Sequence, residues 1–387
     1  MSTENSFLLT NTLNLNNNSN FWKVLLLIGT YYLLPSLQFV LFQAHDDNVQ
    51  CYYNFKCKHD LYGIPAFNNV VSNIFYFVYG LVFIIIVSCV QKRNHDGVSS
   101  YGICSDKSLY YSIGITLMLE GICSSLFHMC PSQLNFQFDT SFMFMGTSLM
   151  FLTLYQKRHQ DRITNPFRFY GILSSIIFIN MLPLSGASNG SEVWFWIIIN
   201  ILLGYVMVFG SIYVYYGKEY DLDMDSVLEL YYKIKNIEYR ELPRFMLLLV
   251  LNGFTLGMLI YGSYVKPDFT MWMLGLFIIN LAIYFIFYII QKVLHKEKIG
   301  WKKWVLLIIN QIVLVAAIIF FTIPVNDKYL SPNESRELNQ PCVLFNYWDY
   351  HDIWHILSAT GLFMFMLIAL YIDKDLQDTN TNEIPVF

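Results

Sequence analysis

Two polar blocks interrupt an otherwise apolar sequence and hold the residue types that could do chemistry. The first contains Ser124, His128 and Asp139, and the second contains His351 and His355. Ionisable residues inside long apolar stretches are costly, so such residues commonly have a functional role. Ser124 and His128 are four residues apart, as are His351 and His355, so each pair shares one face of a helix. One helix can present two imidazoles to a single metal ion in this way.

Three imidazoles and a carboxylate form a ligand set that suits zinc better than calcium or magnesium. The sequence therefore predicts a zinc site made by His128, His351, His355 and Asp139. Bound zinc would lower the pKa of a water molecule to about 7 and so provide a nucleophile for a carbonyl group. The site is catalytic if Asp139 and Ser124 hold that water, and structural if Asp139 completes a tetrahedral shell. Residue types alone leave both alternatives open.

The composition is that of a membrane protein. Of the 387 residues, 55% are hydrophobic and 13% are charged, about half the roughly 25% usual for soluble domains. A transmembrane helix needs about 20 mostly apolar residues. The sequence predicts an all-α polytopic membrane protein, a bundle of about ten transmembrane helices with an intramembrane zinc site near the extracytosolic face. The predicted spans are residues 22–42, 66–90, 109–130, 136–155, 167–184, 193–215, 245–265, 269–290, 304–323 and 353–371.

Basic residues indicate the orientation of these spans. With a cytosolic N-terminus, 19 of the 24 Lys and Arg residues fall on the inner side. The five on the outer side are Lys56, Lys58, Lys266, Lys328 and Arg336. Both termini are therefore predicted to be cytosolic. In this topology His128 ends an outward-running helix, whereas Asp139 and His351 begin inward-running helices, so all three lie near the outer membrane boundary.

Three regions follow from this topology. Residues 1–21 are polar and rich in Asn, which predicts a disordered cytosolic tail in place of a cleavable signal, with the first span as an uncleaved anchor. Residues 22–372 are predicted to be one multi-pass helical domain. Residues 373–387 are predicted to be an acidic cytosolic tail.

Four cysteines, Cys51, Cys57, Cys130 and Cys342, fall on the predicted outer side, where an oxidising compartment permits disulfides. We expect all four to be paired, and the sequence leaves three connectivities open. The sequon that begins at Asn333 predicts a glycoprotein. The net charge of -4 excludes a strongly basic nucleic-acid-binding surface.

Several blocks together resemble a known family, the systemic RNA-interference-defective (SID) transmembrane family. This family is part of a superfamily that includes alkaline ceramidases and adiponectin-type receptors. The blocks are the segments at 51–57, 67–73, 128–131, 135–140 and 351–355. The resemblance runs from about Cys51 to the C-terminus. It implies a zinc site from His128, His351 and His355, with Asp139 and Ser124 around the metal and its water.

The resemblance also implies a function. The family is associated with passage of double-stranded RNA and with sterol handling, at the plasma membrane or the endolysosome, and its ceramidase relatives hydrolyse a lipid amide. Family members carry a large extracellular β-rich domain and one further span, where this sequence has the Asn-rich tail. A homodimer or a partner chain would then supply an ectodomain. The predicted outer loops carry nine acidic residues against five basic ones, whereas phosphate binding favours the opposite sign.

Three function hypotheses remain. The first is transport of double-stranded RNA, with sterol binding, on a zinc-containing helical core. The second is a zinc-dependent intramembrane hydrolase of a lipid amide or ester, ceramidase-like or phospholipase-like, in which Asp139 takes a proton and Ser124 positions the water. The third is a receptor-like protein with a structural zinc ion. Membrane lipids, among them sterol or ceramide-like lipids, are the expected partners, with double-stranded RNA as the cargo of the first hypothesis.

Overall fold

A computed structural model describes residues 20–44, 46, 49–92, 101–103, 106–159, 164–184, 193–216, 228, 232, 235 and 242–387. These residues form helices and contain no strand, which confirms the predicted all-α class. The predicted Asn-rich tail lies outside the described residues except at its last two positions. The α-helices within the described ranges are α1 (Phe21–Ala44), α2 (Phe67–Val71), α3 (Ile74–Lys92), α4 (Lys107–Met129), α5 (Phe136–Arg158), α6 (Pro166–Leu184), α7 (Val193–Tyr216), α8 (Leu242–Val265), α9 (Phe269–Leu294), α10 (Trp301–Phe321), α11 (Pro332–Glu337) and α12 (Tyr350–Tyr371).

Long helices occupy all ten predicted spans, but the described chain has eight helical stretches that are long and apolar enough to cross a membrane. Helices α5 and α6 account for the difference. Polar residues in the first turns of α5, among them Gln137, Asp139 and Thr140, lower its apolar character, and these side chains are buried. The apolar part of α6 is short, from Pro166 to Leu182.

The predicted span at 66–90 is interrupted between α2 and α3, at Ser72 and Asn73. Side chains compete with the helical backbone bonds at this break. Ser72 Oγ donates to the Asn69 carbonyl oxygen at 2.8 Å, and Asn73 Nδ2 donates to the same oxygen at 2.9 Å. The break turns Ser72 toward α12 instead of continuing the helical face.

The helices group into two compact units. The first comprises Met1–Ser185 and Glu297–Ile384, and the second comprises Gly186–Lys296 and Pro385–Phe387. In the first unit α4 is central, with α1, α3 and α5 packed around it. Burial reflects this position, because 72% of the apolar stretch of α4 is buried against 17% for α10.

Small residues bring α3 and α4 into close contact. A β-carbon at Gly80 would lie 2.5 Å from the Gly114 carbonyl oxygen, and one at Gly121 would lie 2.9 Å from the Asn73 carbonyl oxygen. Membrane helices commonly approach through small residues in this way. The contact at Gly121 fixes the last two turns of α4, which carry Ser124 and His128, against the break between α2 and α3.

The second unit contains α7, α8 and α9. Trp196 of α7 and Trp272 of α9 meet edge to face with ring centroids 5.1 Å apart. Gly262 of α8 leaves room for them, since a β-carbon there would overlap the Trp196 ring. The C-terminal Phe387 stacks on His295 within this unit.

Buried ion pairs hold α12 at its C-terminal end. Asp373 accepts from Lys157 Nζ at 3.0 Å and from Arg158 Nη2 at 2.8 Å. The Arg158 guanidinium also forms two bonds, of 2.8 and 2.7 Å, with the Glu297 carboxylate. The Arg158 side chain is fully buried, with 0% exposure, and Glu297 and Asp373 are 5% and 4% exposed. Arg158 and Lys157 together therefore neutralise the two buried carboxylates.

We predict that Arg158→Ala lowers the free energy of unfolding by about 3–5 kcal/mol, because the buried Glu297 carboxylate loses the guanidinium and Asp373 keeps only its pair with Lys157. Lys303→Ala is the matched control. Its pair with Asp375, at 3.0 Å, is partly exposed, so we expect a loss below about 1 kcal/mol. Equilibrium unfolding in mixed micelles measures both variants, and equal losses would contradict the prediction.

Candidate functional site

The site begins with the cap of α12. Asp349 Oδ1 accepts from the backbone nitrogen of Asp352 at 2.9 Å, and Asp352 Oδ2 accepts from the backbone nitrogen of Asp349 at 3.0 Å. This reciprocal arrangement is a capping box, which satisfies two backbone donors at the start of the helix. Both carboxylates are fully buried, so their remaining acceptor positions also need donors.

Asparagine side chains supply those donors. Asn68 Nδ2 donates to Asp352 Oδ2 at 2.9 Å, and Asn69 Nδ2 donates to Asp352 Oδ1 at 2.9 Å. Asn54 Nδ2 donates to Asp349 Oδ2 at 3.0 Å. The buried pair of aspartates thus connects the start of α12 with α2 and with the segment that precedes it.

Three histidines meet directly beyond this cap. His351 and His355 lie on the first two turns of α12, and His128 lies at the end of α4. The ring centroids are 4.6 Å apart for His351 and His355, 4.8 Å for His128 and His355, and 5.0 Å for His128 and His351. One ligand nitrogen from each ring lies within 4.8 Å of the others. The structure therefore brings together the three histidines that the spacing predicted.

Neighbouring groups orient the rings. Ser72 Oγ lies 2.7 Å from His355 Nδ1, which leaves His355 Nε2 to face His128 Nε2 at 3.2 Å. His351 Nε2 is buried and has no hydrogen-bond partner among the described residues. Trp354 packs against His351 and His355, with ring centroids 4.8 Å away in both cases.

Asp139 and Ser124 form a pair of their own. Ser124 Oγ donates to Asp139 Oδ1 at 2.5 Å, and both side chains are buried. Ser124 lies one turn before His128 on α4, and Asp139 lies in the first turn of α5. The pair is thus adjacent along α4 to the three histidines, although the compact group of ligand nitrogens does not include the Asp139 carboxylate.

A second group of metal-binding residue types lies at the same end, formed by Cys57, His59 and Cys342. Cys57 and Cys342 are joined in a disulfide, so thiolate ligands are not available there. Among the residues that the structure describes, the three histidines are thus the group whose nitrogens remain able to hold an ion.

The two disulfides confirm that the four predicted cysteines are paired. Cys51 is joined to Cys130 and Cys57 to Cys342, one of the three connectivities left open. The first bond connects residue 51 to the end of α4, and the second connects residue 57 to the segment before α12. Each bond holds one of the elements that carry the histidines.

Sequence reasoning did not identify the supporting asparagines. Asn69, Ser72 and Tyr76 bond across helices to Asp352, His355 and Ser358, respectively. Asn54 and Asn68 were missed as donors to the buried aspartates. The adjacent Asn68 and Asn69 between apolar residues were the available signal, because buried amides require partners.

The sequence of this chain is similar to proteins of one known family. The family model described as "dsRNA-gated channel SID-1" matches residues 8–387. SID1 transmembrane family member 1 of Rattus norvegicus is 35% identical over 95% of this chain and 47% of its own length. The Homo sapiens protein of the same name is 34% identical over 95% of this chain and 46% of its own length.

A third relative has a different name. Cholesterol uptake protein 1 of Caenorhabditis elegans is 32% identical over 94% of this chain and 50% of its own length. The chain thus spans about half the length of the curated relatives it matches. The family match covers the two disulfides, the capped start of α12 and all three histidines. This multi-pass membrane protein belongs to the SID1 transmembrane family.

Proposed function

We propose that this chain is the membrane core of a protein that passes double-stranded RNA across a membrane and binds sterol, built around a zinc site. The observation that carries the proposal is the family match over residues 8–387, to a family described as a channel gated by double-stranded RNA. Sterol binding is supported by the similarity to a relative named for cholesterol uptake. The chain spans about half the length of its curated relatives, so double-stranded RNA is proposed here as the cargo of the whole protein.

We infer that His128, His351 and His355 hold the zinc ion, and their geometry fits this ion. Two nitrogen ligands of a tetrahedral zinc ion lie roughly 3.3 Å apart, as follows from a Zn–N distance of about 2.0–2.1 Å. His128 Nε2 and His355 Nε2 are 3.2 Å apart. The buried His351 Nε2, without a protein partner among the described residues, is available as the third ligand.

We expect His355→Ala to abolish stoichiometric zinc binding, because one of three imidazole ligands is lost. Ser72→Ala should lower zinc affinity by about 10–100-fold, since residues that orient a ligand typically have effects of this size. Ser125→Ala is the matched control, because its hydroxyl bonds the carbonyl oxygens of Val70 and Gly121 instead of a histidine. Elemental analysis measures the zinc content, and chelator competition measures the zinc affinity. Full zinc content in His355→Ala would refute the site.

We also propose an orientation of the chain in the membrane. The predicted distribution of basic residues favours cytosolic termini, with the histidines near the extracytosolic boundary. The protein would then act at the plasma membrane or in the endolysosome. Acidic residues outnumber basic residues in the predicted outer loops, and phosphate binding favours the opposite charge, so we do not assign RNA binding to these loops.

Uptake of labelled double-stranded RNA by cells expressing the chain tests transport directly. We expect uptake above background for the wild type and a return to background for the double variant His351→Ala, His355→Ala, because this variant loses two zinc ligands. His59→Ala is the control, since His59 lies at the same end but stacks on Tyr347. Both proteins must first be shown at the cell surface in equal amounts.

An absence of uptake by the surface-expressed wild type would reject transport by this chain alone. Uptake by the double variant at the wild-type level would show instead that transport does not depend on the histidines. One zinc ion per chain, together with an absence of RNA transport and of lipid turnover, would favour the third hypothesis, a receptor-like protein with a structural zinc ion.

The Ser124–Asp139 pair favours a second function, a zinc-dependent hydrolase of a lipid amide or ester. Zinc, when bound by the histidines, supplies an activated water molecule for attack on a carbonyl group. Asp139 would accept the proton of that water, and Ser124, which donates to Asp139 at 2.5 Å, would hold the carboxylate in position. The buried site would exclude bulk water from this transfer.

We expect Asp139→Asn to lower any lipid turnover by about 10²–10⁴-fold, the usual contribution of a general base. Release of fatty acid from ceramide or phospholipid by the purified protein measures this effect. Thr140→Ser, at a neighbouring buried hydroxyl that bonds the Phe136 carbonyl oxygen, should leave turnover unchanged. Turnover that survives His355→Ala would exclude the zinc mechanism.

A further inference from the structure

The disulfide between Cys57 and Cys342 has a histidine directly beside it. His59 Nε2 lies 3.5 Å from Cys342 Sγ. One ligand atom from each of Cys57, His59 and Cys342 lies within 4.8 Å of the other two. Cleavage of a single bond between the two sulfur atoms would therefore leave two thiols and an imidazole in one place.

The distance between the imidazole and the sulfur fits a zinc ion. A Zn–S distance of about 2.3 Å and a Zn–N distance of about 2.0–2.1 Å put these two ligand atoms of a tetrahedral ion roughly 3.6 Å apart. His59 Nε2 and Cys342 Sγ are 3.5 Å apart. Thiolate and imidazole ligands favour zinc, whereas magnesium and calcium favour oxygen ligands.

Hydrogen bonds hold the backbone of the two ligand residues that precede α2. Asn68 Nδ2 donates to the Cys57 carbonyl oxygen at 3.0 Å, and Asn68 Oδ1 accepts from the His59 backbone nitrogen at 3.1 Å. The Cys57 backbone nitrogen donates to the Asn54 carbonyl oxygen at 3.0 Å. These bonds involve no sulfur atom, so they remain when the disulfide is broken.

The other side of the group is held in a similar way. The His59 ring stacks on the Tyr347 ring with centroids 4.9 Å apart. Directly after Cys342, the Val343 backbone nitrogen donates to the Trp348 carbonyl oxygen at 2.8 Å. The imidazole and the segment that carries Cys342 are therefore positioned by contacts that do not depend on the bond between the sulfur atoms.

We propose that Cys57, His59 and Cys342 form a second zinc site when a small-molecule thiol reduces the disulfide between the two cysteines. Two thiolates and the neutral imidazole are the protein ligands, and water takes the fourth position of the ion. This site is separate from the three histidines on α4 and α12, and it goes beyond the function proposed above.

Reduction takes place by two exchange steps. Cys342 is half-buried, whereas Cys57 is 2% exposed, so the first thiol attacks Cys342 Sγ and releases the Cys57 thiolate. A second thiol attacks the first one and releases Cys342, and the two thiols leave joined in a new disulfide. The two cysteines have then gained two electrons and two protons. Zinc displaces both protons when it binds, because the ligands are thiolates.

The position of His59 favours these steps. A neighbouring histidine favours the thiolate form of a cysteine, and a more stable thiolate is a better leaving group. His59 is half-buried, so zinc has access to the group from the imidazole side. The same side chain thus assists the release of Cys342 and supplies the third ligand.

The test measures zinc per chain in the purified full chain in mixed micelles, before and after treatment with a phosphine reductant. Mass spectrometry counts the free thiols in the same samples. We expect the zinc content of the wild type to rise by about one ion per chain on reduction. The double variant Cys57→Ser, Cys342→Ser should show no rise. Free thiols at both positions without additional zinc in the wild type would overturn the proposal.

His59→Ala keeps all four paired cysteines and so tests the imidazole without loss of a disulfide. In the reduced chain it should weaken zinc binding by more than the roughly 10–100-fold typical of a residue that only orients a ligand. In the oxidised chain it should leave the zinc content at the wild-type value. An unchanged zinc affinity of the reduced variant would overturn the assignment of His59.

Cysteine substitution at the other disulfide is the matched control. The double variant Cys51→Ser, Cys130→Ser should keep the rise in zinc on reduction, because neither residue belongs to the group of ligand atoms around His59. Loss of the rise in a folded form of this variant would overturn the proposal. Cobalt(II) in place of zinc gives a second readout on the wild type, because thiolate ligands produce intense charge-transfer absorption. Absence of this absorption after reduction would also overturn it.

The variant His355→Ala separates this site from the histidine site. We expect its zinc content to rise from none to about one ion per chain on reduction. An oxidised wild type without zinc that gains one ion on reduction, with thiolate absorption of cobalt(II), would reject the histidine site and support the second one. One ion in the oxidised wild type and no gain on reduction would do the reverse.

Discussion

Two aspartates that are fully buried at the start of α12 impose the constraint on which the histidine end depends. Asp349 and Asp352 cap the helix reciprocally, and a buried carboxylate is tolerated only when donors surround it. The donors come from residues more than 275 positions away in the sequence, for example Asn68 at a separation of 284. The chain must therefore bring α2 and the segment before it against α12 before either aspartate is satisfied. The two disulfides hold the same elements together.

The other end of α12 meets the same requirement with different chemistry. There, Asp373 is neutralised by Lys157 and Arg158 at the end of α5, so full charges face full charges. At the histidine end, neutral amides face carboxylates. A cationic side chain in place of these asparagines would add a positive charge near the three histidines and repel a metal ion, whereas an amide donor leaves the local charge unchanged. The choice of asparagine is thus compatible with a metal site, and the choice of lysine and arginine is compatible with a purely structural anchor.

Local periodicity accounts for the part of the site that the sequence predicted. His351 and His355 share a helical face because they are four residues apart, and Ser124 precedes His128 by the same interval. The depth of each along its span followed from the distribution of basic residues. The break at Ser72 and Asn73 and the connectivity of the four paired cysteines were not predicted. Each of these depends on contacts between distant segments, for which a single sequence has no periodic signal. Helix α5 shows the same limit. Its polar residues are buried against other parts of the protein, and the sequence alone does not show this burial.

Anchoring at both ends restricts what α12 can do. To move α12 along its axis, the protein would have to break the hydrogen bonds from the asparagine side chains to Asp349 and Asp352 at one end or the ion pairs of Asp373 at the other. Breaking a buried ion pair alone costs about 3–5 kcal/mol. The histidines on α12 therefore keep a fixed position relative to His128, which the disulfide at Cys130 also restrains. Fixed ligands suit a metal centre, because small displacements of ligand atoms weaken binding and catalysis. A transport function of this chain would then require other helices to move around α12, with the histidine end as the stationary part.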